Sequence, residues 1–117
     1  MSSMSPTETA KRYIALFNAR KFREMGELFA ADSLWEPPSD TPAARGREAI
    51  IAGYSAMADQ EMTVTLTDAR FHEQGNTVIV EMLADTPDGP MGRVADVFEV
   101  DDEGRILRMT GYTGPPN

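Results

Sequence analysis

The spacing of apolar residues divides the chain into a helical first half and a β-rich second half. Residues 5–8, Ser-Pro-Thr-Glu, have the form of a capping box with proline at the first helical position, which predicts the start of a helix. Apolar residues then recur at helical spacing over residues 10–17. A second apolar stripe over residues 22–29 predicts another helix, which ends at residues 30–32.

The middle of the chain contains two breaks and one more helix. Residues 33–36 predict a short strand, which ends at two consecutive prolines because proline cannot donate a hydrogen bond to a β-ladder. Prolines and small polar residues then predict a loop over residues 37–45. Residues 46–48, Gly-Arg-Glu, open a third predicted helix. Its inward face is expected to contain Ile50, Tyr54 and Met57.

Alternation with a period of two dominates the second half. Apolar residues and threonines alternate over residues 62–66, which is typical of a strand with one apolar face. Asp68 interrupts this alternation, which indicates a β-bulge. Further strands are predicted over residues 77–85, 91–100 and 105–112, and the short turns between them imply an antiparallel meander. Three helices followed by such a sheet predict an α+β fold, with the helices on one concave face.

Asp96 is a carboxylate on a strand face that is otherwise apolar. Successive side chains of a strand point to opposite faces, so Asp96 shares its face with Val94 and Phe98. An ionised carboxylate buried there is costly, so the group must find a partner or keep its proton. A neutral carboxyl can donate a hydrogen bond to a ligand oxygen. The alternative is a buried aspartate that backbone amides satisfy.

Composition and charge narrow the class of protein. A chain of 117 residues is close to the commonest domain size, and we expect a single domain over residues 1–117. Its 41% hydrophobic and 26% charged residues are ordinary for a globular protein. The formal net charge of −8 argues against nucleic acid or an anionic membrane surface as a partner.

Residue types also restrict the candidate chemistry. The chain has no cysteine and a single histidine, His72, which lies beside a predicted turn and is interpreted as a surface or edge residue. Without clustered carboxylates, we expect neither a metal site nor a cofactor. The start of the chain lacks the apolar stretch of a secretion signal, and no segment is apolar enough to span a bilayer, so the expected location is the cytoplasm.

The order of the elements resembles the nuclear-transport-factor-2-like superfamily, which includes ketosteroid isomerases and SnoaL-type polyketide cyclases. The likeness extends over nearly the whole chain and rests on Lys-Arg-Tyr-Ile at residues 11–14, Gly-Arg-Glu-Ala-Ile at 46–50 and the hairpin at 96–106, which begins Asp-Val-Phe-Glu-Val. It implies a cone-shaped fold in which three N-terminal helices pack on a curved, mostly antiparallel sheet. It also implies a homodimer through the open face of the sheet. Because the superfamily hosts many chemistries, the fold does not fix the substrate.

Within the superfamily, the chain is most similar to ketosteroid isomerase. The likeness implies that Tyr13 donates a hydrogen bond to the substrate oxygen and that protonated Asp96 is the second donor of the same oxyanion hole. It also implies that Tyr54 supports Tyr13 by hydrogen bonding. At a further supporting position the isomerase has a tyrosine, and this chain has Phe29. Without this likeness, Tyr13 would be interpreted as a core tyrosine bonded to a backbone carbonyl.

The general base of the isomerase, an aspartate before a proline, has no counterpart here, because Pro37 occupies its position. Glu36 and Asp40 are the candidate carboxylates to replace it. On a regular strand Glu36 points to the face opposite Trp35, so it would reach inward only through a bulge. A missing base typically lowers the rate by a factor of ~10²–10⁴, so efficient steroid isomerisation is not expected.

Three functions are open alternatives. The chain is an isomerase or polyketide cyclase-type enzyme acting on a small apolar carbonyl or phenol-like compound, a non-catalytic binder of such a compound, or a structural dimerisation domain. We expect a homodimer in each case. The candidate catalytic residues are Tyr13, Asp96, Tyr54 and Glu36. The candidate residues lining an apolar cavity are Phe17, Phe29, Trp35, Met57, Val80 and Met109.

Overall fold

The chain forms three helices and six strands within residues 4–37, 43–58 and 64–113, which the computed structural model describes. The helices are α1 (Pro6–Asn18), α2 (Phe22–Gly26) and α3 (Arg47–Ala58). The strands are β1 (Phe29–Glu36), β2 (Ala44–Arg45), β3 (Thr65–Gln74), β4 (Thr77–Thr86), β5 (Gly89–Val100) and β6 (Ile106–Thr113). No helix in these ranges is long and apolar enough to cross a membrane.

One six-stranded sheet carries the fold, with the strand order β2-β1-β6-β5-β4-β3. The predicted antiparallel meander is confirmed, because each strand from β3 to β6 pairs with the next. β1 lies parallel to β6, and β2 is antiparallel to β1. α1 packs on β3, β4 and β5, while α3 packs on β1 and β2. The prediction of an α+β fold with helices on a curved, mostly antiparallel sheet is therefore confirmed.

α1 begins where the capping box predicts and is anchored at both ends. Ser5 Oγ accepts a hydrogen bond from the Glu8 N–H at 3.1 Å, and Glu8 Oε1 accepts one from the Ser5 N–H at 3.0 Å. The carboxylate of Glu73 on β3 accepts two further hydrogen bonds from the first turn of the helix. At the other end, the Asn18 side chain hydrogen-bonds to both backbone groups of Leu66. These contacts fix the helix across β3.

The end of the second helix differs from the prediction. α2 stops at Gly26 and β1 follows, so the predicted helix end at residues 30–32 and the predicted strand start at Ser33 are wrong. The Phe29 carbonyl accepts hydrogen bonds from Arg47 Nε and Nη2 at 3.0 and 2.9 Å. Phe29 is also the first residue of β1 that pairs with β6. A short apolar run fits either a helix or a buried strand, and here the tertiary partners decide for the strand.

Two irregular stretches, at residues 37–45 and at Asp68, were also predicted from the sequence. The predicted loop over residues 37–45 contains β2, while residues 38–42 lie outside the described part of the chain. The predicted bulge at Asp68 is confirmed, because this residue has a φ of 52° and the register between β3 and β4 shifts between Thr67 and Arg70.

The two faces of the sheet have different environments. The concave face, which carries Val80, Asp96 and Phe98, is covered by the helices and forms the hydrophobic core. The outer face carries the charged side chains of Glu36 and Glu99 and also the exposed apolar residues Ile79 and Tyr112. Strand alternation therefore determines whether a given side chain enters the core or remains outside it.

α3 packs closely onto β1 through Gly53. A Cβ atom at this position would lie 2.7 Å from Cζ3 of Trp35, so no larger residue fits unless the indole moves. The same indole packs against Tyr54, with ring centroids 4.8 Å apart. The glycine therefore sets how closely α3 brings Tyr54 to the sheet.

Candidate functional site

Tyr13 and Tyr54 meet between the helices and the sheet. α1 brings Tyr13 and α3 brings Tyr54 to a position where their hydroxyl groups hydrogen-bond to each other. The two residues are only 2% and 3% exposed. Their ring centroids are 6.1 Å apart, with the planes at 68°. One of the two hydroxyl protons lies within this pair, so the other is available to a third oxygen.

Asp96 lies on the concave face of β5 and is 7% exposed. Its cross-strand neighbours are Val80 on β4 and Gly111 on β6. The ring of Phe98, the next residue on the same face, lies edge-on to the ring of Tyr13 with centroids 5.0 Å apart. α1 therefore packs directly beside the part of β5 that carries the carboxyl group.

Within residues 4–37, 43–58 and 64–113, the carboxyl group of Asp96 has neither a counter-charge nor a hydrogen-bond donor beside it. These residues therefore do not support the alternative of an aspartate satisfied by backbone amides. Burial raises its pKa to about 7. The protonated and ionised forms are therefore both populated near neutral pH.

Burial also determines the pKa values of the two phenols. It raises the pKa of Tyr13 well above the ordinary value, and electrostatic interactions with Tyr54 and Asp96 raise it further. Burial likewise raises the pKa of Tyr54, although the hydrogen bond with Tyr13 acts in the opposite direction. The charge of Asp96 raises the pKa of both phenols. Both tyrosines therefore remain neutral hydrogen-bond donors.

Aromatic rings surround Tyr54. Phe22 of α2 stacks on it, with centroids 6.0 Å apart and planes at 15°. Trp35 of β1 lies 4.8 Å away, and Phe17 of α1 lies 6.1 Å away in an edge-on arrangement. Rings packed in this way hold the Tyr54 hydroxyl in a fixed direction toward Tyr13.

The candidate lining residues lie at different depths. Four of them are buried in the core: Phe29, Trp35, Val80 and Met109. Phe17 is half-buried, and the side chain of Met57 lies outside the described residues. Contact between any of these side chains and a ligand stays a prediction.

Glu36 does not join the group formed by the tyrosines and Asp96. β1 and β6 are in regular register here, with Glu36 opposite Thr110, so no bulge turns the carboxylate inward. Its Oε1 accepts a hydrogen bond from Thr110 Oγ1 at 2.7 Å and lies 3.9 Å from Arg108 Nε. Strand alternation directs the carboxylate to the outer face, so this placement does not support Glu36 as a catalytic residue, and that role stays a prediction.

The described residues offer few other ionisable groups near the site. Apart from tyrosine, Asp96 is the one buried ionisable side chain among them. No group of three His, Cys, Asp or Glu side chains in this part of the chain is placed to hold a metal ion. Asp40, the other candidate base, lies outside it. The chemistry of the observed site therefore rests on one carboxyl group and two phenols.

Sequence reasoning gave no site role to Phe22, Phe98 or Ser33. Phe98 could have been inferred, because it lies two positions from Asp96 on the same strand face. The stacking of Phe22 on Tyr54 depends on tertiary packing and has no local signal. Ser33 Oγ is buried and lacks a hydrogen-bond partner in the described ranges. Its only signal is the alternation that puts it on the same strand face as Trp35.

Comparison with known families identifies the class of protein. The family model of the SnoaL-like domain matches residues 10–109. The chain therefore belongs to the SnoaL-like domain family, within the superfamily that its sequence resembles. A solved protein from Sphaerobacter thermophilus is 26% identical and superposes with a TM-score of 0.82, covering 97% of this chain and 99% of that chain.

Two other solved structures share the fold. A candidate polyketide cyclase from Xanthomonas campestris is 22% identical, with a TM-score of 0.82 and coverage of 93% of this chain and 90% of that chain. A protein with a ketosteroid isomerase-like fold from Catenulispora acidiphila is 23% identical, with a TM-score of 0.79 and coverage of 95% and 88%. Among curated proteins, none matches this chain in sequence.

Proposed function

We propose that this chain binds a small apolar carbonyl or phenol-like compound through hydrogen bonds from Tyr13 and neutral Asp96 to one ligand oxygen. The observation that carries the proposal is the Asp96 carboxyl, which is buried on the strand face where Phe98 packs against Tyr13 and has no hydrogen-bond partner among the described residues. A neutral carboxylic acid at such a position donates a hydrogen bond, as in ketosteroid isomerase.

The reaction that this arrangement favours is proton transfer next to a carbonyl, as in isomerisation or cyclisation. When a proton leaves the carbon beside a carbonyl, negative charge accumulates on the oxygen. Fixed donors in a site shielded from water stabilise that charge without waiting for solvent to reorganise. Tyr54 is a positioning residue in this proposal, because it hydrogen-bonds to Tyr13 and is itself held by Phe22 and Trp35.

A second candidate function is binding of the same class of ligand without catalysis. The placement of Glu36 on the outer face favours it, because the carboxylate nearest to the usual base position is paired with Thr110 there. Pro37 at the base position has no ionisable group. The two candidates share the oxygen-binding residues and differ only in whether a base acts on the bound ligand.

Calorimetric titration with a small α,β-unsaturated ketone tests oxygen binding. We expect Tyr13→Phe to weaken binding about tenfold or more, because it removes one donor to the ligand oxygen. Native affinity should fall as the pH rises through about 7, since ionised Asp96 can no longer donate. Asp96→Asn should lose this pH dependence. Tyr112→Phe is the matched control, because Tyr112 lies opposite Ala95, on the face of the sheet away from Asp96. Unchanged ketone affinity in Tyr13→Phe, together with a flat native pH profile, contradicts the proposal.

Turnover separates the two candidate functions. A β,γ-unsaturated ketone becomes conjugated when it isomerises, and the product is followed by its ultraviolet absorbance. Binding without conjugation supports the non-catalytic candidate. If Asp40→Asn abolishes the isomerisation of this ketone and Glu36→Gln does not, Asp40 is the base. This result would agree with the outer-face position of Glu36.

We also propose that the chain forms a homodimer through the outer face. Ile79 and Tyr112 are 40% and 56% exposed there, and a second copy of the chain would bury them. The nearby pair of His72 and Glu81, with Nε2 and Oε2 at 2.6 Å, would lie in or beside this interface. Sedimentation should show a native dimer that Ile79→Asp converts to a monomer, and a native chain that sediments as a monomer contradicts the proposal.

A further inference from the structure

β3 lies at one end of the six-stranded sheet, with β4 on one side and an edge on the other. The peptide groups along such an edge can pair with a strand of another molecule. Residues 64–67, Val-Thr-Leu-Thr, suit this pairing, because they combine high β-propensity with no charged side chain. Beyond them the strand carries ionisable side chains, which protect an edge, at Asp68, Arg70, His72 and Glu73. Residues 64–67 are therefore the stretch of the edge that needs cover.

The end of α1 occupies this edge at Leu66. Asn18 Oδ1 accepts a hydrogen bond from the Leu66 N–H at 2.9 Å, and Asn18 Nδ2 donates one to the Leu66 carbonyl at 3.0 Å. A carboxamide has the same donor and acceptor as a peptide group, and the residues of a hydrogen-bonded antiparallel pair exchange the same two bonds. The Asn18 side chain therefore takes the place that a residue of an added strand would occupy.

Arg20 covers the backbone carbonyl two residues before Leu66. Its Nη2 donates a hydrogen bond to the Val64 carbonyl at 2.6 Å. It has a φ of 62° at the end of α1, where the Lys21 N–H donates to the Leu16 carbonyl in a Schellman motif. Glycine is the usual residue at this left-handed position, so the backbone conformation does not favour an arginine. The contact with Val64 gives the arginine side chain a role there.

We propose that Asn18 and Arg20, which together form the edge cap, keep β3 from pairing with β3 of a second copy of the chain. Without the edge cap, residues 64–67 of two copies would pair antiparallel about a twofold axis, because identical edges are self-complementary in that arrangement. The bulge at Asp68, where the register with β4 shifts, would end this pairing. The contact is distinct from the homodimer proposed above, which uses the outer face of the sheet.

A double variant, Asn18→Ala with Arg20→Gly, removes both side chains of the edge cap. Glycine suits the left-handed conformation at position 20, so the backbone at the end of α1 should be retained. Sedimentation over a range of concentrations should show that this variant associates at least about tenfold more strongly than the native chain. Asn76→Ala is the control, because the Asn76 side chain also donates to a strand carbonyl, that of Val100, away from this edge. It should retain the native state of association.

Thr65→Lys, added to the double variant, tests whether the association uses this edge. Thr65 is exposed, and a lysine there places a charge within the uncharged stretch, which should restore the native state of association. Hydrogen exchange provides a second measurement. In dilute solution the Leu66 amide should exchange at least about tenfold faster in the double variant, because its acceptor on Asn18 is gone. A double variant that associates no more than the native chain, association that Thr65→Lys leaves unchanged, or unaltered exchange at Leu66 would overturn the inference.

Discussion

Asp96 and Glu99 lie on the same strand, β5, and face opposite sides of the sheet. Asp96 is 7% exposed on the concave face, and burial raises its pKa to about 7. The Glu99 side chain is 38% exposed on the outer face, with its Oε2 2.7 Å from Arg108 Nε. The comparison shows that the direction of a side chain from a strand decides whether a carboxyl group becomes a potential acid or half of a surface ion pair.

The largest expected effect is a dependence of the free energy of unfolding on pH, which comes from Asp96 and not from Glu99. The pKa of Asp96 is about 7 in the folded chain against an ordinary value of 3.8, so the folded state keeps a proton that the unfolded state releases. This contribution to stability is fully present below about pH 4 and is lost as the pH rises through about 7, at a cost of about 4 kcal/mol. Asp96→Asn has no such loss. At about pH 8 we expect its free energy of unfolding in urea to exceed the native value by up to this amount.

Glu99→Gln is the control for this measurement. Exposed ion pairs contribute about 0–1 kcal/mol, so this variant should differ from the native chain by less than about 1 kcal/mol at either pH. A stability profile of Asp96→Asn that parallels the native profile between about pH 4 and pH 8 would show that Asp96 is not desolvated. The distinction between the two faces would then have no energetic basis.

A second prediction concerns packing on the concave side. In Gly53→Ala, the new methyl group would collide with the Trp35 indole, and overpacking of this kind costs about 1–3 kcal/mol. Ser55→Ala changes an exposed position of the same helix and should alter stability by less than about 0.5 kcal/mol. Urea unfolding measures both. Because alanine is otherwise the better helix former by about 1 kcal/mol, a stabilised Gly53→Ala variant would exclude the close contact.

The hydrogen bond between Tyr13 and Tyr54 should appear as a coupling of about 1 kcal/mol in a double-mutant cycle. Either single change to phenylalanine leaves the other buried hydroxyl without its partner, whereas the double change removes both groups. The double variant should therefore be less destabilised than the sum of the single variants, as measured by urea unfolding. Strictly additive effects would show that the two hydroxyl groups do not interact in solution.

Local periodicity was sufficient to predict both faces of the sheet. A period of two placed Asp96 inward and Glu36 outward unless a bulge intervened, and the structure has regular pairing at Glu36. The helical period likewise placed Tyr13 on the buried side of α1. These assignments required only neighbouring residues. The contact of Tyr13 with Tyr54 came instead from the family resemblance, because no local pattern links two helices.

Features that depend on distant partners could not be predicted in this way. Phe29 belongs to a strand because Arg47 donates to its carbonyl and β6 pairs with it. The apolar spacing before it is compatible with a helix as well. The stacking of Phe22 on Tyr54 similarly depends on where the short α2 lies against α3. Tertiary contacts, which the sequence does not display, decided both.

The smallest expected effect belongs to the outer face, where Glu36 contacts Thr110 and Arg108. Glu36→Gln keeps an acceptor for the Thr110 hydroxyl and removes only the charge opposite Arg108. Its free energy of unfolding should fall by less than about 1 kcal/mol at low salt, and this difference should vanish near 1 M salt, where the Debye length is about 3 Å. Ketone affinity should be unchanged, because the carboxylate faces away from the concave side. Weakened ketone binding in this variant would place the Glu36 carboxylate inside the cone, and Asp96 would then no longer be the carboxyl group that distinguishes the site.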